Sequence, residues 1–74
     1  MKGENIIMKQ IDLEKAGYKV VNCAWTRGYV SRKSTAETRE AIPYKGRIDA
    51  EYIVLEPSMQ STQYCVKIYY KKGE

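Results

Sequence analysis

Six side chains in the middle of this 74-residue chain carry most of its recognisable chemistry: Arg27, Tyr29, Arg32, Lys33, Lys45 and Arg47. Lys and Arg neutralise phosphates, and the planar Arg fork can bond a phosphate or carboxylate through two N–H groups at once. Trp25, Tyr29 and Tyr44 lie among these cations, and aromatic faces stack on unpaired bases. The charge follows the same pattern. Residues 27–47 hold six Lys and Arg against Glu37 and Glu40, a net +4. Residues 1–26 come to +1 and residues 48–74 to −1, so the excess belongs to the middle segment. Five phosphate contacts on duplex DNA, from Arg27, Arg32, Lys33, Lys45 and Arg47, would give a salt slope of about −4.5 in log K. The competing reading is a solvated basic surface. Phe is absent, so Trp25 and the seven Tyr must also fill large apolar positions.

Other chemistries lack their residues. There is no His, which removes His-ligated metals, Ser-His-Asp and Cys-His catalysis and the usual pH switch. Cys23 and Cys65 form no CxxC pair, and two thiols cannot close a structural zinc site. They read as two small buried residues in a reducing compartment rather than as a disulfide. The carboxylates Glu37, Glu40, Asp49 and Glu51 carry no sign of convergence, so glycosidase and metal-nuclease readings find no support. The five glycines are scattered and form no phosphate loop. No helix-turn-helix, zinc-finger or RNP-type motif is present. The expectation is a protein that is not an enzyme and takes no cofactor and no metal.

These residues need elements to hold them. Gln63 to Tyr70 alternates, with Tyr64, Val66, Ile68 and Tyr70 on one side and Cys65, Lys67 and Tyr69 on the other, so it reads as the central strand with Val66 and Ile68 toward the core. Asp12 to Gly17 predicts a short helix, with Asp12 accepting from the free N–H groups and Gly17 supplying a left-handed stop. Residues 5–11 fit helix or strand equally. Tyr18 to Trp25 predicts a strand, Thr26-Arg27-Gly28 a turn, and Tyr29 to Arg32 a short strand returning antiparallel. Lys33 to Ala41 is the least hydrophobic stretch and reads as an exposed loop. A turn over Ile42 to Gly46, a strand over Arg47 to Glu56 ended by Pro57, and a loop over Ser58 to Thr62 complete the chain.

Arg27-Gly28-Tyr29-Val30-Ser31-Arg32-Lys33, Pro43-Tyr44-Lys45-Gly46-Arg47, Ser61-Thr62-Gln63-Tyr64 and Tyr69-Tyr70 together resemble the pattern of small accessory proteins from mobile genetic elements of gut-type bacteria. The resemblance spans about residues 25–70. It implies an accessory protein with a macromolecular partner, and it carries no fold, site or substrate.

The sequence therefore predicts an α+β fold in one small domain, residues 1–74: an antiparallel sheet of three to four strands with a short N-terminal helix, or in its all-β variant a half-barrel. No apolar run reaches the length of a membrane helix and no signal peptide is evident, so the expected location is cytoplasmic. The expected function is a non-enzymatic binding module that contacts nucleic acid through Arg27, Tyr29, Arg32, Lys33, Lys45 and Arg47. The alternative partner is another protein, as an inhibitor target or as a second copy in a small homodimer. It would be bound at a free sheet edge with Tyr69 as anchor beside Lys67.

Overall fold

A computed structural model describes residues 7–60 and 63–73. The readings made for residues 5–6 and for Ser61 and Thr62 lie outside these. The elements in chain order are α1 (Gln10–Lys15), β1 (Tyr18–Arg27), β2 (Ala41–Pro43), β3 (Tyr52–Pro57) and β4 (Tyr64–Lys72). The four strands form one open antiparallel sheet in the order β1-β4-β3-β2. β4 is central, as its alternation and its lack of Gly and Pro require. It pairs with β1 along nine positions and with β3 along six.

Directly opposed residues in an antiparallel pair share a face. Val66, Ile68 and Tyr70 therefore share the helix-bearing face with Tyr52 and Val54 of β3, and with Tyr18, Val20, Cys23, Trp25 and Arg27 of β1. A bulge between Val20 and Asn22 absorbs Val21 and keeps both halves of β1 in phase with β4. Leu13 of α1 is fully buried against Val54, Ile68 and Tyr70.

The helix starts earlier than Asp12, and the reason lies outside it. Segment 28–40 runs from the β1 edge across the sheet to the β2 edge. Its carbonyls at Arg39 and Ala36 accept from the free N–H groups of Gln10 (2.7 Å) and Ile11 (3.1 Å). Asp12 then accepts from the N–H of Lys9 at 3.0 Å. Gly17 stops the helix at φ +93°, the left-handed region its sequence position called for.

Three strand expectations need correction. Residues 29–32 are not a strand: β1 continues through Arg27, and at Gly28 the chain turns onto the other face of the sheet, over Cys65. The chain leaves the plane of the sheet there instead of folding back along the outer side of β1, so no returning hairpin forms. The strand expected from Arg47 begins only at Tyr52, because residues 47–50 close the β2–β3 loop. In that loop Tyr44 donates its N–H to the Glu51 carbonyl and Asp49 pairs with Lys71. Ile42 and Pro43, expected in a turn, belong to β2.

Candidate functional site

The expected basic cluster falls into two groups. Arg27 ends β1 opposite Tyr64, and Tyr29, Arg32 and Lys33 follow it in the crossing segment. Lys45 and Arg47 sit in the β2–β3 loop, beyond the end of the sheet marked by Tyr18, Tyr52 and Lys72. At about 3.3 Å per residue, the nine residues of β4 put roughly 25 Å between the two ends. Tyr29 is 88% exposed, and Arg27, Arg32, Lys33, Lys45 and Arg47 are all exposed. Arg39 is removed from the set of free cations. Its guanidinium donates to Gln10 Oε1 (2.9 Å) and to the Ser34 carbonyl (3.3 Å), and it lies 3.8 Å from a Glu56 oxygen.

The Arg27 end carries two exposed aromatics, Trp25, which the sequence places in the basic segment, and Tyr64, which its alternation assigns to the core. Trp25 stands 64% exposed on the helix-bearing face, one pleat from Arg27. Tyr64, expected in the core, is 39% exposed because it lies past the end of the helix cover. The Arg27 guanidinium sits over its ring, 5.8 Å from the centroid. Between Trp25 and Tyr64 lies a shallow hollow of about 250 Å³ that Ser58 and Gln60 complete. The β3–β4 connection is shaped locally: Ser58 Oγ accepts from the Gln60 N–H (3.1 Å), and the Ser58 N–H donates to the Tyr64 carbonyl (3.3 Å). Arg32 reaches this loop and donates to the Met59 carbonyl at 3.2 Å, where it lines a separate hollow with Arg39 and Glu56. β1 and β4 together hold Lys19, Arg27, Lys67, Lys71 and Lys72 and no acid at all.

The protein-binding alternative loses its anchor. Tyr69 is 6% exposed, not free: the ring of Tyr44 stands edge-on to it at 5.1 Å between centroids. The covering element is thus the β2–β3 loop and not the helix. Lys67, beside it, is half-buried. The thiols also differ from their expected burial. Cys65 is fully buried, while Cys23 is exposed on the opposite face of the sheet, so the two cannot bridge.

The carboxylates are dispersed. The backbone of Glu40 forms a single antiparallel bridge with Lys9, while the Asp49 carboxylate pairs with Lys71 and the Glu51 carboxylate accepts from the Lys72 N–H. Among the described residues no three Cys, Asp or Glu gather as a metal-holding group, and no helix is long and apolar enough to cross a membrane.

No family model, curated protein or solved structure matches the chain.

Burial and hydrogen bonding shift a few groups. Burial pushes the Tyr70 hydroxyl above its ordinary value, partly offset by the Gln10 Nε2 bond to it at 2.7 Å. Lys71 is raised by its hydrogen bond to Asp49. Neither lies at the Trp25–Tyr64 corner.

Proposed function

We propose that this protein is a non-enzymatic module for single-stranded nucleic acid. Two bases would stack on Trp25 and Tyr64, and Arg27, Arg32 and Lys33 would hold the adjoining phosphates. One observation carries the reading: two exposed rings and a guanidinium share one corner of a sheet whose two outermost strands on that side contain no acid. Stacking accepts any base, because every base has a π-face, so the reading is of sequence-tolerant binding. A single strand fits the corner better than a duplex, since paired bases offer no free faces to the rings.

The test uses a short single-stranded oligonucleotide and fluorescence anisotropy at low salt. Trp25 is the sole Trp, so quenching of its emission reports contact directly. Trp25→Ala is expected to cost about 1–3 kcal/mol of binding, the worth of one stacked base. Absence of binding at low salt, or binding that leaves Trp25 emission unchanged and survives Trp25→Ala, overturns the proposal.

A further inference from the structure

β1 is the longest strand, and it lies at the edge of the sheet. Among the described residues nothing pairs with its outer side. An edge strand presents a row of unpaired N–H and C=O groups, and soluble proteins usually blunt such edges with charge or short length. This edge is ten residues long and apolar in its middle: Val20, Val21, Cys23, Ala24 and Trp25 are all exposed, Val20 to 50%. We infer that β1 is the contact surface of a symmetric homodimer, in which two copies join β1 to β1 antiparallel and form one eight-stranded sheet.

The occupant follows from how β1 matches itself. Place the two-fold axis at Cys23, perpendicular to the sheet. Asn22 then lies opposite the partner's Ala24, both on the face away from the helix. Past the bulge at Val21, Val20 meets the partner's Trp25, Lys19 meets the partner's Thr26, and Tyr18 meets the partner's Arg27. Every one of these pairs shares a face, on both sides of the bulge, because the same extra residue that keeps β1 in phase with β4 also keeps it in phase with its own copy.

The chemistry of the pairs is favourable as well. Aromatic and β-branched residues opposed across strands stabilise a sheet, as Val20 and Trp25 would. Arg27 against a Tyr ring repeats within the dimer the cation–π contact that Lys72 already makes with Tyr18 in one chain. The strand has two cations and no acid, yet in this register no cation directly opposes another. The inference rests on the open backbone edge and the self-matching register, and its test is made without nucleic acid.

Sedimentation equilibrium on the full chain, without nucleic acid, scanned from about 1 µM to about 1 mM, covers the range of weak association. A reversible monomer–dimer equilibrium is expected. Val20→Lys is introduced twice in a symmetric interface and should weaken the dimer at least about tenfold, with unchanged circular dichroism. In a Cys65→Ser background a short bis-maleimide should link Cys23 to the partner's Cys23. In a Cys23→Ser, Cys65→Ser background, Lys19→Cys chains should link to Thr26→Cys chains but not to one another. A monomer throughout the range overturns the inference and leaves the edge to a foreign strand. So does a dimer indifferent to Val20→Lys, or one without the Cys23 link.

Discussion

Gly28 is where the chain leaves the sheet, and its lack of a side chain is a packing requirement. A Cβ there would meet Cys65 Sγ at 2.9 Å, and Cys65 is fully buried, so one of the two must shift. Gly28→Ala is expected to destabilise by about 1–3 kcal/mol in urea unfolding, the usual cost of overpacking. Adding Cys65→Ala should recover most of that loss, a coupling only a direct clash explains. Tyr70 makes a different expectation. Its folded-state pKa lies above the ordinary tyrosine value of 10.0, chiefly through burial. The folded state therefore holds this proton more tightly than the unfolded chain. The associated stability is complete below about pH 10 and is lost as pH rises through the folded value. Lys71, raised from 10.5 by Asp49, acts in the same direction. Urea midpoints should fall between about pH 9 and pH 11, and Tyr70→Phe should reduce that fall; an equal fall in the variant would remove Tyr70 as its cause. Tyr69 illustrates the limit of reading residues alone. Its side of β4 was legible from alternation, but its cover comes from Tyr44, 25 residues away in the chain.

Among the elements, the four strands and the helix differed in how openly the sequence declared them. β4 and β1 were legible as strands because they are rich in β-branched and aromatic residues and free of Gly and Pro, while the bulge at Val21, which exchanges the faces of the second half of β1, was not. The helix stop was legible because only glycine takes φ +93° without strain. Segment 28–40 was not, because it has no periodicity: its form is set by where it must go, from one sheet edge to the other. What fixes it is Arg39, which reads in the sequence as one more surface cation. It donates to Gln10 Oε1, and Gln10 in turn donates to Tyr70, so the crossing segment, the helix and the central strand share one hydrogen-bonded chain. Arg39→Met leaves the buried Gln10 acceptor without its donor and is expected to cost about 1–3 kcal/mol by urea unfolding. Gln10→Leu combined with Arg39→Met should cost less than the sum of the two. Full additivity would show that the bond contributes nothing.

For the molecule as a whole, the basic segment of the sequence falls into two separate groups, because a sheet places neighbours in the chain at opposite ends. Trp25 was legible as part of the aromatic-basic pattern. Tyr64 was not, since its alternation assigns it to the core and only the short reach of α1 leaves it open. Charge reversals should separate the ends. Arg32→Glu with Lys33→Glu should weaken oligonucleotide binding and flatten its salt dependence by about 1.4, the single-strand value for two cations. Lys45→Glu with Arg47→Glu should change it far less. Equal effects of the two pairs in an anisotropy titration would restore the segment as one surface and remove the corner as the site.

The central position of β4 also orders the assembly of the fold in time. β1 and β3, which precede it in the chain, pair with it and not with each other. β1 thus meets β4 across about forty residues of intervening chain, and such distant pairing is entropically slow. During synthesis β1 leaves the ribosome well before β4 exists. Until then Val20, Val21 and Trp25 lie on a strand with both edges open. A nascent chain halted before residue 64 would hold no sheet to shield them, and it should be a better chaperone client than the complete chain.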